Sequence, residues 1–347
     1  MVNCIRKRII SMTVMIIGMV MLLSGCGSGP DITPTKTTVL TFNKENITVG
    51  EVYLYMLTIA DNYERAYGDA IWSMQLTEAD GSKTDMQTVT RKDIIEDIVK
   101  VKVLIAQAES LGVTMTADDR SEAEIETESF WKNLTDEQIE TMELTRDIVK
   151  KCMEENILAG KVYNKVIAGA GVEISDEDAR MTTIYDMYFP CFTESDNGTI
   201  VRMNDADKKS QYDRAVQAYN TLISPIDEKS DRNVEALAAY YGLTYASYVT
   251  KSPTELKETY GKDITDMLYT LEDGSYSLVT ETEYGYHIFY MGALTDRAAT
   301  DKKKERIVRE RKNQYFTNRF KDWLRAVDSS YSYERSVNFE VYNSIEF

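Results

Sequence analysis

Much of this chain reads as helix, and the clearest exception is "YSLVTETEYGYHIFYMGAL", residues 276–294. Apolar and polar residues alternate on both sides of "TEYG", as in two strands joined by a tight turn. A hairpin is not stable by itself in water and needs further strands or a helix to cover its apolar face. The other strong β-prone run is "MTTIYDMYF", residues 181–189, with the helical patterns "KKSQYDRAVQAYNTLI" and "NVEALAAYYG" between the two. Strand, helices and closing hairpin make a small α+β domain.

Before that domain the sequence is almost all helical. In "VLTFNKENITVGEVYLYML" a short strand and a polar turn precede Thr48 and Glu51 at capping-box spacing, with Val52, Tyr55, Met56, Ile59 and Tyr63 along one helix face. Further helices are expected over about 90–111, stopped by Gly112, over 116–131, and as one long element over 135–168. The glycines of "GAGVEISDEDAR" end this pattern, and Ser175 with Asp178 starts a brief helical turn.

After the hairpin, residues 302–328 form a basic amphipathic helix with Phe316, Phe320, Trp323 and Val327 in one stripe, and "SVNFEVYNSIEF" alternates like a final strand. The stripe needs a partner, which the N-terminal helices offer. The basic cluster Lys302–Lys312 is expected to be a solvated helix face.

Arg6, Lys7 and Arg8, the apolar run "IISMTVMIIGMVMLL" and the tetrapeptide "LSGC" together read as an export signal. "LSGC" is similar to a bacterial lipobox, which implies cleavage before Cys26 and lipid on its sulfur. "GSGPDITPTKTT" then suits a tether. The expected layout is signal peptide 1–25, tether 26–38, helical module 39–171, α+β domain 172–298, and a segment 299–347 that completes the module.

The formal charge is -17, and losing Arg6, Lys7 and Arg8 takes it to -20. So acidic an exported protein is not a nucleic-acid binder. Cleavage and lipidation leave Cys152 and Cys191, expected as buried thiols with no CxxC spacing and no metal site. The chain has no G-x-S-x-G, no H-E-x-x-H and a single histidine, His287, which argues against a hydrolase.

The chain resembles extracytoplasmic foldase lipoproteins of the PrsA type, related to SurA-like chaperones and carrying a parvulin (PpiC-type) peptidyl-prolyl isomerase domain. "FNKENITVGEVYLYML" resembles the family's first strand and helix, "VEISDEDAR" its entry to the isomerase domain, and "LEDGSYSLVTETEYGYHIFYM" the end of a parvulin domain. In that last segment Leu271, Gly274, Ser277, Val279, Thr280, Thr282, Gly285, His287 and Ile288 follow the parvulin layout.

The resemblance implies a mainly helical module built from both ends of the chain, an inserted parvulin-like domain, no cofactor, and unfolded exported polypeptides as partners. It makes His287, Asp186 and Thr282 the candidate catalytic residues and Tyr260, Ile264 and Met267 the candidate substrate pocket. The departures are specific. Asp186 stands where the family has a histidine, Ile264 where it has an aromatic ring, and Leu243 or Thr244 where it has an acid or thiol; "LTYASYVTKSP" replaces a Gly-rich segment. Isomerase activity is therefore expected to be weak or absent. Anchorage at the extracytoplasmic membrane face is expected through Cys26, and a homodimer is left open. The alternative function, a solute-binding lipoprotein of a transporter, expects two α/β lobes.

Overall fold

A computed structural model describes residues 32–77, 79–194, 198–224 and 234–346. The expected lipidation site, Cys26, lies outside the described residues. In chain order the first elements are β1 (Thr38–Phe42), β2 (Glu45–Thr48), α1 (Val49–Tyr67), β3 (Gln75–Thr77), β4 (Lys83–Asp85), α2 (Met86–Ala106), α3 (Ala117–Trp131), α4 (Asp136–Thr141) and α5 (Arg146–Ala168). There follow α6 (Asp176–Ala179), β5 (Thr182–Pro190), β6 (Phe192–Glu194), β7 (Ile200–Arg202), α7 (Asp205–Ile223), α8 (Val234–Tyr240), β8 (Ser247–Lys251), α9 (Pro253–Tyr260), α10 (Lys262–Leu268), β9 (Thr280–Thr282) and β10 (Gly285–Ala293). The chain closes with α11 (Arg297–Val327), α12 (Tyr333–Ser336) and α13 (Phe339–Ser344). The fold is α+β. It divides into two compact units: residues up to Gly171 together with those from Lys312 onward, and Val172–Arg311 between them.

The first unit is mainly helical and uses both ends of the chain. Its entry is a tight hairpin in which Asn43 and Lys44 both have positive φ, as a type I′ turn requires. Thr48 and Glu51 then cap α1 reciprocally, and Thr116 with Asp119 does the same for α3. One core joins Val39, Leu40, Phe42 and Ile47 to Ile94, Ile95 and Ile98 of α2 and to Val341 and Tyr342 of α13. Phe316 is buried against Leu104, Ala159 and Val162, while Phe320, Trp323 and Val327 pack on the same cores, so the stripe of α11 meets the N-terminal helices. The Lys102 amine lies 2.8 Å from Glu45 and 2.9 Å from Glu155, tying β2, α2 and α5 together.

Two expectations for this unit are corrected. The long helix over 135–168 is broken into α4 and α5, because Glu143 takes a positive φ of 46° and the Thr145 hydroxyl caps a new N-terminus. The final strand is instead α13, preceded by a single antiparallel bridge from Val337 to Leu40. Asn338 accepts from the Val341 amide at the start of α13, and buried Arg91 donates to the carbonyls of Tyr342 (2.8 Å) and Ile345 (2.5 Å) at its end. Alternating apolar residues in "NFEVY" suggested a strand; end-capping from distant groups decided for helix.

The second unit holds a four-stranded sheet in the order β8-β5-β10-β9, every neighbouring pair antiparallel. β8 was not expected, nor were the small hairpins β3-β4 and β6-β7. On one face Tyr185, Met187, Phe189 and Ile288 pack under α7 and α8 through Ala215, Ala218, Leu222 and Ala238. On the other, Ile184, Phe289 and Met291 pack under α9 and α10 through Leu256 and Leu268. Cys152 and Cys191 are free, buried thiols, one in each unit. Burial pushes the Cys152 thiol up to about 12, so it stays protonated.

Candidate functional site

The only histidine sits on β10, one of the two central strands. Its register partner on β5 is Tyr188, and Asp186 is its diagonal neighbour on the same sheet face. Side chains alternate along a strand, so His287, Phe289 and Met291 share a face with Ile184, Asp186 and Tyr188. This is the face that α9 and α10 cover.

A short polar chain crosses that face. His287 Nδ1 lies 2.8 Å from Asp186 Oδ1, and Nε2 lies 3.2 Å from Thr282 Oγ1. The Tyr260 hydroxyl donates to Asp186 Oδ2 at 3.1 Å. The Thr282 hydroxyl also donates to the Gly285 carbonyl at 3.1 Å and accepts from the Tyr284 amide at 3.3 Å. His287 and Asp186 are both buried, and burial of such groups requires this kind of pairing. Burial raises the Tyr260 phenol, and the adjacent Asp186 carboxylate raises it further, so it remains a donor.

Rings frame the imidazole. Tyr188 stacks on His287 at 4.4 Å with 9° between planes, and Phe289 lies nearly parallel to it at 5.4 Å. Tyr260 meets Phe289 edge-on at 5.2 Å. The Tyr188 hydroxyl donates to the Tyr284 carbonyl, and burial, with the Cys191 thiol and Asp186 nearby, pushes this phenol up to about 12. Outward from Tyr188, the rings of Phe192 and Tyr245 continue the aromatic lining.

Gly285 is needed for this approach. A Cβ there would stand 2.3 Å from the Phe189 carbonyl oxygen and 2.8 Å from the Tyr188 ring, so any side chain would separate β5 from β10. Behind the hairpin, buried Ser277 accepts the Phe289 amide on its hydroxyl at 2.9 Å and donates its own amide to the Phe289 carbonyl at 2.8 Å.

The structure thus brings His287, Asp186, Thr282 and Tyr260 into one hydrogen-bonded chain. Ile264 and Met267 lie half-buried in the apolar cluster with Tyr260, Leu268 and Phe289, and touch no member of the polar chain through a hydrogen bond. Leu243, which with Thr244 was matched to the family's acid or thiol position, packs with Met187 and Phe189 on the opposite sheet face, and Thr244 is exposed. Tyr188, Phe289 and Tyr245 were missed. Period-2 spacing from Asp186 to Tyr188 and from His287 to Phe289 places those two on the right face once the register is known. Among the described residues no group of three His, Cys, Asp or Glu side chains is arranged to hold a metal ion.

No family model matches the chain. Among curated proteins it is similar to the foldase protein PrsA of Clostridium perfringens, 24% identical over 302 residues and covering 82% of each chain. The foldase protein PrsA of Clostridium botulinum is 22% identical over 254 residues, covering 68% of this chain and 71% of the relative. Among solved structures, a study of SurA-like chaperones from Campylobacter jejuni gives 14% identity, 84% of this chain and 97% of that one, with a TM-score of 0.26. PrsA from Bacillus subtilis gives 13% identity, 90% and 99% coverage, and a TM-score of 0.19. With curated relatives matched over most of its length, the chain is a homologue of the PrsA-type foldases.

Proposed function

We propose that the chain is an extracytoplasmic foldase of the chaperone kind, held at the membrane by lipid on Cys26, that binds unfolded exported polypeptides and isomerises prolyl bonds slowly. The observation that carries this reading is the similarity to foldase proteins PrsA over 82% of the chain. Residues 172–298 would be its parvulin-like domain, and residues 39–171 with 299–347 its chaperone module. No helix among the described residues is long and apolar enough to cross a membrane.

Slow catalysis follows from how the polar chain is used. Prolyl isomerisation needs no nucleophile, only an environment that favours the twisted amide against a barrier of ~18–20 kcal/mol. Both ring nitrogens of His287 already have partners, Asp186 and Thr282, and the rings of Tyr188 and Phe289 lie nearly parallel to it. The imidazole therefore braces β10 against β5 and has no nitrogen left for substrate. Asp186 is likewise shared between His287 and Tyr260. In this reading Ile264 and Met267 give an apolar pocket wall, with Ile264 standing where the family has an aromatic ring. The solute-binder alternative finds one four-stranded sheet and a helical unit where it requires two α/β lobes.

The test is suppression of aggregation. A chemically unfolded client diluted into buffer with the chain should scatter less light as chain concentration rises. Unchanged scattering at a severalfold excess of chain would overturn the chaperone reading.

A further inference from the structure

The four-stranded sheet has two edges, and they differ. β9 is three residues long, Thr280–Thr282, with Glu281 exposed at its centre, the usual means of keeping an edge from pairing. β8 is longer, "SYVTK", and pairs only with β5, in the register Ser247 to Asp186 through Lys251 to Thr182. Residues 247–250 contain no charge, proline or glycine, and no bulge interrupts the ladder. Ser247, Tyr248 and Thr250 are exposed, Tyr248 by 47%. Among the described residues, no backbone bond reaches β8 from its outer side.

We propose that β8 is a docking edge that takes an extended polypeptide segment as a fifth strand. This rests on the chaperone reading above and says where an unfolded chain is held. An edge of unpaired amides and carbonyls complements any extended backbone whatever its sequence, which suits unrelated clients. A second copy of this chain fits less well. Pairing over five residues buries far less than the roughly 1,200–2,000 Å² of a stable interface between folded partners, whereas a flexible chain is not held to so short a contact. The edge is also continuous with the candidate site. Ser247 lies opposite Asp186 on β5, on the face that carries His287, so a strand added at β8 would stand three strand spacings, about 14 Å, from β10. Tyr248, packed edge-on against Tyr185 at 4.9 Å, would offer the added strand a ring on the other face.

Backbone pairing has a signature that side-chain binding lacks. The full chain would be titrated with a ten-residue peptide alternating Thr and Val between terminal lysines, and with two versions, one N-methylated on its odd residues and one on every residue. A strand presents its odd amides on one edge and its even amides on the other. The half-methylated peptide keeps one clean edge and should bind like the parent, whereas the fully methylated one should lose at least tenfold in affinity. Hydrogen exchange in residues 247–251 should slow when the parent peptide is added. Equal binding of all three peptides, or protection elsewhere with 247–251 unchanged, would overturn the proposal. Protection of 247–251 that grows with protein concentration without peptide would assign the edge to a second copy and also overturn it. If clients are still kept from aggregating in either case, the chaperone reading stands without this edge; if neither peptide nor client binds, both fail.

Discussion

His287 Nδ1 sits 2.8 Å from Asp186 Oδ1, a buried bond that joins the two central strands of the sheet diagonally. Its main effect is expected in stability. Asp186→Asn keeps the shape but weakens the acceptor for both His287 and Tyr260, and should cost about 1–3 kcal/mol in denaturant unfolding, the range for lost hydrogen bonds to a buried charged group. A change within measurement error would show that the bond does not brace the sheet.

Gly285→Ala should be as costly for a different reason. The new methyl would meet the Phe189 carbonyl and the Tyr188 ring, and relieving such overpacking costs about 1–3 kcal/mol. The Tyr188–His287 stack should be displaced, visible as a shift of the His287 ring protons in NMR spectra.

Much of this was legible because local signals agree with tertiary ones. Thr48 with Glu51 and Thr116 with Asp119 start helices by their own side chains, and the stripe Phe316, Phe320, Trp323, Val327 announces a buried face. The encounter of His287 with Asp186 depended on the register of β5 against β10, which alternation supports but does not set. β8 was hidden because "SYVTK" is short and follows a helical run, and its pairing is supplied by β5 from more than sixty residues away. The last strand failed because Arg91, about 250 residues distant, caps the helix that forms there.

Arg91→Ala should loosen that C-terminal helix. It strips two carbonyls of their donor and removes a guanidinium 5.2 Å from the Tyr342 ring, so residues 339–346 should exchange amide hydrogens faster while those of the second unit are unaffected.

Phe316→Ala tests the joining of the two chain ends. Phe316 is buried against Ala159 and Val162 and meets Tyr163 edge-on at 4.8 Å, so truncation should cost about 3–5 kcal/mol in the helical unit. Unfolding followed separately in each unit should show the loss in that one alone.

Cys26→Ala should abolish lipidation. In a bacterium with the lipoprotein pathway, the wild-type chain should partition into detergent and lack residues 1–25, whereas the variant should be released or left uncut. A soluble, unacylated wild type contradicts the anchor.

As proposed, the chain holds unfolded polypeptides while its parvulin-like site isomerises prolyl bonds slowly. The most direct measurement follows refolding of one proline-limited client and aggregation of the same client in parallel, with wild type and His287→Ala. The expected result is slow isomerisation that His287→Ala changes little, with aggregation suppressed equally by both proteins. A fast isomerase rate that collapses in His287→Ala, with aggregation control lost alongside it, would contradict the account.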